Sequence, residues 1–169
     1  MNHLKLILFS FILNIIFFSF SFSEIIKKIV EDLIATFLYA DQVALDLRNK
    51  GLKKKMKSDN TPVSNGDIEV NQILTTKIKT LTPELPIISE ESSENKDKKN
   101  LNDFWLVDPI DGTYDYINNL DEFTLNAGLI LNNQPAGGII FAPAKKRMFY
   151  SYGSNNAYEV VGANKVKLE

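Results

Sequence analysis

The 169-residue chain has no cysteine, and its one histidine, His3, lies in the N-terminal tail. Without thiols there is no disulfide scaffold, no thiolate nucleophile and no cysteine-ligated zinc. Without histidine in the body of the chain, any catalysis must do without imidazole as base, nucleophile or metal ligand. What remains is oxygen chemistry: carboxylates, hydroxyls, carbonyls and the hard cations they prefer. An excess of basic charge is missing too, since 19 Lys+Arg face 21 Asp+Glu for a net charge of −2. That balance offers no electrostatic footprint for DNA or RNA, and no nucleic-acid partner is expected. At 44% hydrophobic the composition is that of a globular protein, long enough for one domain with a core.

One long apolar run is present, Leu6 to Phe22, interrupted only by Ser and Asn14. It is close to the length that spans a bilayer. It reads as a membrane anchor, as a signal peptide with "SFS" as a weak cleavage site, or as a stretch foreign to the fold ahead of a misassigned start. Lys27 and Lys28 follow it while Lys5 precedes it, a bias that favours a cytoplasmic body. The expected location is therefore the cytoplasm or the cytoplasmic side of a membrane, with an exported form left open. Residues 1–23 are set apart as this segment, and 24–169 as the folded domain.

From Glu24 onward, Ile25, Ile26, Ile29, Val30, Leu33, Ile34, Phe37 and Leu38 recur at helical spacing, and Gly51 marks a stop. Lys53–Lys55 reads as a solvated turn, and "SDNTPVSNGD" as a turn-rich loop. Asp67 is placed to cap a helix running to Leu81, with Ile73, Leu74, Ile78 and Leu81 on its inner face. A short strand is expected at Ile87–Ser89, opening into Glu90 and Glu91, and "SSENKDKKN" reads as a polar surface loop. From Phe123 the period switches to two, and "AGGIIFAP", "RMFYSY" and "AYEVV" continue as hairpin-linked strands. The expected fold is α+β, with layered helices on a mostly antiparallel sheet.

The chemistry concentrates in "FWLVDPIDGT", Phe104 to Thr113. An apolar strand ends in Asp108 and Asp111, and buried carboxylates need a compensating partner. Glu90 and Glu91 follow the other short strand. If the two strands are neighbours, these carboxylates converge, and clustered carboxylates take up protons unless a cation sits among them. The fitting cation is Mg²⁺, or Mn²⁺ in its place, held by carboxylate, carbonyl and water oxygens. Pro109 is expected to bend the chain so that Asp108 and Asp111 share one site, with the Ile110 carbonyl between them. Gly112 and Thr113 then open a helix whose first N–H groups form an anion seat. Cations beside such a seat suit phosphoester hydrolysis. Taken singly, each of these acids is more often a turn or surface residue; together they make a site.

"WLVDPIDGT" resembles the metal motif of the lithium-sensitive, inositol-monophosphatase-like phosphatases. "KSDNTPVSNGD", "PIISEES" and "EFTLNAGLI…GGIIFAP" agree with that superfamily in order and spacing, from about Ile25 onward. The glutamate before "FTLN" and the stretch "LTPELPIISEES" are most similar to its 3′(2′),5′-bisphosphate nucleotidases of the CysQ type. The resemblance implies that Glu90, Asp108, Asp111 and the Ile110 carbonyl hold Mg²⁺, with Glu91 not a direct ligand. It implies that Asp67 orients the attacking water, helped by the Thr113 hydroxyl, and that Gly112 and Thr113 N–H groups hold the phosphate. Glu90, Ile110 and Asp111 border the substrate, and Lys57 matches a lysine near the site.

The implied activity is Mg²⁺-dependent hydrolysis of 3′-phosphoadenosine 5′-phosphate to AMP and phosphate. An inositol or sugar monophosphatase is the alternative, as is an inactive fragment that binds metal and phosphate. Two departures stand out. "SNGD" replaces the family's usual Thr and Ala before the aspartate, which is expected only to loosen the helix start. The family also runs on for roughly another hundred residues that supply a further ligand and most of the substrate pocket. The chain is therefore expected to carry the N-terminal half, leaving apolar sheet surface bare and favouring self-association.

Overall fold

The computed structural model describes the backbone of residues 2–92 and 101–169, and side chains from Phe22 onward within them. The loop expectation for 93–100, and the side chains of the apolar run up to residue 21, lie outside the described residues. Among the described residues no helix is long and apolar enough to cross a membrane.

Helix α1 runs unbroken over Asn2–Lys50 and stops at Gly51, whose φ of 92° is the left-handed conformation that ends helices. Its buried stripe is Ile26, Val30, Leu33, Phe37, Ala40 and Ala44. The steps of four and three keep one face inward, which leaves Ile25 and Leu38 exposed. The lysine-rich turn and the loop after it are a small antiparallel hairpin, β1 (Lys54–Met56) with β2 (Pro62–Ser64). Asp59 closes its turn by accepting from the Thr61 N–H and hydroxyl at 3.0 and 2.6 Å. The solvated-turn reading is thereby corrected. Strands of three residues, β1 fully exposed and β2 only half-buried before Ser64, carry no period to read.

Helix α2 spans Asn65–Leu81 and buries Val70, Leu74 and Ile78 at i, i+4, i+8. Its N-cap is Ser64, one turn earlier than expected. Asp67 is the third helical residue and returns its carboxylate to the Ser64 N–H, closing a capping box.

A seven-stranded sheet follows: β3 (Ile87–Ser89), β4 (Phe104–Asp111), β5 (Thr124–Leu131), β6 (Gln134–Ala142), β7 (Arg147–Tyr152), β8 (Ala157–Val161) and β9 (Asn164–Leu168). They lie side by side in chain order, with the five-residue helix α3 (Thr113–Ile117) between β4 and β5. Only β3 and β4 are parallel. Strand β9 was not expected; all five of its residues are exposed, so no alternation marks it. Helix α1 lies on β6, β7 and α2, and α2 on β4. Trp105, Val107, Leu125, Leu129 and Ile139 point into the layer between. Each such side chain contributes about 1.5–3 kcal/mol of burial. Helices therefore cover one face of a mostly antiparallel sheet, the expected α+β arrangement. On the other face Leu106 and Ile140 are each about half exposed.

Candidate active site

Parallel pairing sets Ile87 opposite Trp105 and Ser89 opposite Val107, and the Glu90 N–H donates to the Val107 carbonyl at 3.0 Å. The acidic ends of the two strands are therefore adjacent, which sequence spacing alone left conditional.

Regular alternation would send Asp108 and Asp111, three residues apart, to opposite faces. Strand β4 avoids this with a register break. Asp108 pairs with Asn126 and Asp111 with Thr124, so Pro109 and Ile110 form a bulge. Both of their side chains are buried, and Asp108 and Asp111 return to the face opposite the helices. The expected proline bend is thus a phase change. It leaves the Ile110 carbonyl beside the site, where it accepts from the Thr113 hydroxyl at 3.1 Å.

Asp108 has a buried carboxylate oxygen, Oδ1, with no hydrogen-bond partner. Burial, then the charges of Glu90 and Asp111, push its pKa from 3.8 up to about 7, and Glu90 is within hydrogen-bonding range of it. Asn126, directly across the strand pair, has an equally orphaned Oδ1 while its Nδ2 donates to Asp111 at 3.4 Å. Two of the three orphaned buried side-chain oxygens among the described residues therefore sit side by side here. Uncompensated oxygens among crowded carboxylates fit a hard, oxygen-ligated cation. Asn126 was missed at the sequence level. It lies in the solvent-side phase of β5 with Thr124, where alternation leads one to expect a polar residue and so marks nothing.

No group of three acidic residues among the described ones stands at the spacing of a preformed cation site. Glu90, within hydrogen-bonding range of Asp108, also pairs with Lys57 Nζ at 3.0 Å. Lys57 also pairs with Glu91 at 2.6 Å. Burial pulls the Lys57 pKa down, but hydrogen bonds and charge from Glu91 and Glu90 outweigh it and leave it raised. Burial raises the Glu91 pKa against the opposing pull of Lys57.

Asp67 is fully buried, and three donors converge on it: the Ser64 N–H (2.8 Å), the Ser64 hydroxyl (2.6 Å) and the Thr113 hydroxyl (3.0 Å). It therefore touches Thr113 as expected, and Thr113 stands between it and solvent. Gly112, φ 92°, turns the chain from β4 into α3; a Cβ there would lie 2.6 Å from the Glu122 carbonyl. Behind α3, Arg48 donates to the Leu120 carbonyl at 3.0 Å and lies over Phe123 at 5.2 Å, while Lys54 donates to the Ile117 carbonyl at 3.0 Å. These two cations fix the far end of the short helix.

Comparison with known proteins agrees with this geometry. A 3′(2′),5′-bisphosphate nucleotidase CysQ of Aggregatibacter actinomycetemcomitans is 32% identical over 142 residues, covering 83% of this chain and 53% of that protein. The Haemophilus influenzae protein of the same name is 38% identical over 104 residues, covering 60% of this chain and 39% of that protein. The chain thus spans about half the length of the relatives it matches. The crystal structure of CysQ from Bacteroides thetaiotaomicron superposes with a TM-score of 0.58 at 27% identity, over 80% of this chain and 48% of that one. An IMPase/NADP phosphatase complexed with Mg²⁺ and phosphate gives a TM-score of 0.67 at 22% identity, over 77% of this chain and 50% of that one, and bears on the fold alone. Residues 26–164, from the first buried position of α1 among the described residues to the start of β9, match the inositol monophosphatase family, and to that family the chain belongs.

Proposed function

We propose that this chain carries the catalytic half-site of a Mg²⁺-dependent phosphomonoesterase whose substrate is a 3′-phosphorylated nucleotide such as 3′-phosphoadenosine 5′-phosphate. The observation that carries the reading is Asp108. A buried carboxylate with an orphaned oxygen, crowded by Glu90 and Asp111, takes up a proton unless a cation stands beside it. Glu90, Asp108, Asp111 and the Ile110 carbonyl are the oxygens that would hold Mg²⁺. When bound, the cation would neutralise the carboxylates, lower the pKa of water and offset charge on the phosphoryl oxygens.

The chain's own groups supply the rest. The Thr113 hydroxyl, bonded to Asp67, can accept a hydrogen bond from the attacking water while its own proton points to the carboxylate. Three donors keep Asp67 in place as that acceptor. The Gly112 and Thr113 N–H groups, at the turn from β4 into α3, face the same end of the sheet and suit a phosphate oxygen. Arg48 and Lys54 hold the far end of the helix that this turn opens. Relatives named as bisphosphate nucleotidases favour the nucleotide over an inositol phosphate.

Phosphate release by the 169-residue chain, measured with Mg²⁺ on 3′-phosphoadenosine 5′-phosphate and on inositol monophosphate, tests the reading. Faster turnover of the nucleotide, abolished by Asp108→Asn, supports it. Equal or better turnover of inositol phosphate overturns the substrate. Saturable Mg²⁺ binding without release identifies a chain that binds but does not turn over.

A further inference from the structure

Lys57 is built into the acidic site more firmly than a surface lysine. Its backbone is anchored in the β1–β2 turn: its N–H donates to the Thr61 carbonyl at 2.8 Å, and its carbonyl accepts from Asn60 at 3.1 Å. From there the side chain, 21% exposed, reaches two carboxylates of very different character. Glu91 is only 5% exposed, whereas Glu90 is 43% exposed. A buried carboxylate cannot lose a strong cationic neighbour cheaply, while an exposed one can exchange it. Glu90, not Glu91, is also the member of the pair in range of Asp108.

We propose that the Lys57 ammonium is a resident counter-ion of the site: it holds Glu90 while no cation is bound, yields Glu90 to the divalent cation, and stays paired with Glu91 throughout. The proposal rests on the metal-dependent reading above. It accounts for the shared position of Glu90, which pairs with Lys57 at 3.0 Å and at the same time stands within hydrogen-bonding range of Asp108. It also gives Glu91 a purpose without making it a ligand: it keeps the ammonium within reach of the site. Lys57 then competes with the cation, lowering its affinity and favouring release.

The test is Mg²⁺ titration by calorimetry of the full 169-residue chain, together with metal-free thermal unfolding. Lys57→Met is expected to bind Mg²⁺ on the order of tenfold more tightly, the scale of removing one unit charge near a divalent cation in a water-like medium. Its metal-free Tm is expected to fall, because Glu91, whose side chain is 5% exposed, loses the ammonium 2.6 Å away. Glu91→Gln in the Lys57→Met background is expected to restore the Tm and keep the tighter binding. Should Lys57→Met not fold, Glu91→Gln with and without Lys57→Met carries the same comparison. Unchanged affinity would make Lys57 a structural partner of Glu91 alone, and weaker affinity would make it a support for Glu90; either overturns the proposal. Failure of the metal reading looks different: wild-type chain that shows no saturable Mg²⁺ binding at all.

Discussion

Gly66 offers a sharp test of how α2 and α3 are assembled. A Cβ at this position would stand 2.7 Å from the Cε1 and Cζ atoms of Tyr116, and nearer still to its hydroxyl oxygen. Carbon atoms pack best at about 3.5–4.0 Å, so the ring must withdraw by roughly 1 Å. It has nowhere to go. Tyr116 is fully buried, packs on Phe123 at 5.1 Å, and its hydroxyl donates to the Ala44 carbonyl at 2.7 Å. Overpacking of this kind costs about 1–3 kcal/mol. Alanine's helix-propensity advantage over glycine, up to about 1 kcal/mol in a helix interior, is smaller in the first turn. The overpacking term wins. Gly66→Ala is expected to lower Tm by about 3–8 °C.

Tyr116→Phe alone forfeits the bond to Ala44, a loss of about 1–2 kcal/mol. In the Gly66→Ala background it also removes the most crowded atom, so the double variant should be more stable than the sum of the singles. Thermal unfolding of the four proteins decides the matter. A Gly66→Ala protein as stable as wild type, or strictly additive effects, would refute the reasoning. The contact also bears on the site. Gly66 adjoins Asp67 and Tyr116 lies one turn from Thr113, so wedging them apart stretches the 3.0 Å bond between Asp67 and Thr113. A drop in phosphatase turnover should accompany the loss of stability.

Asp108→Asn should raise the metal-free Tm while eliminating stabilisation by Mg²⁺. The carboxyl's pKa, raised from 3.8 to about 7, means the fold is favoured below 3.8 and loses that advantage as pH climbs through 7. At neutral pH and above, after discounting for solvent, the penalty is about 1–2 kcal/mol, and metal-free unfolding of wild type and variant between pH 4 and 8 should show the two curves diverging upward. Thr113→Val, which keeps the shape and removes the hydroxyl, should reduce turnover by about 10²–10⁴ with KM little changed, whereas Thr113→Ser should retain most of it. Arg48→Met should destabilise the chain by about 1–2 kcal/mol through loss of its bond to Leu120 and its contact with Phe123, read as a lower denaturant midpoint.

The strands β5, β6 and β7 could be read from the chain because one side of each is buried and alternation records it. The helix stripes of α1 and α2 were legible for the same reason. What escaped has no such record. Strands β1 and β9 present exposed side chains, so burial imprints no period on them, and β2 is only three residues long. The cap of α2 was ambiguous because Ser64 and Asp67 are both capping residues, and only the fold assigns one to N-cap and the other to the third helical position. "SNGD" was expected only to loosen the helix start; the structure gives the glycine a positive reason, since the Tyr116 ring fills the space of a side chain.

The site itself was half visible, and the missing half is a matter of phase and distance in the chain. Asp108 and Asp111 stand an odd number of residues apart, so a regular strand would have parted them. The bulge at Pro109–Ile110 shifts the count by one and reunites them. A local motif can name such residues but cannot tell which face they occupy, because the answer lies in the partner strand's pairing. Lys57 and Glu91, 34 positions apart, meet only because the hairpin folds back over the β3 end. The charge balance of the site is therefore a tertiary property. The carboxylates could be listed from the chain, but the cation they already hold, and hence the competition any metal must win, appears only once the fold is built.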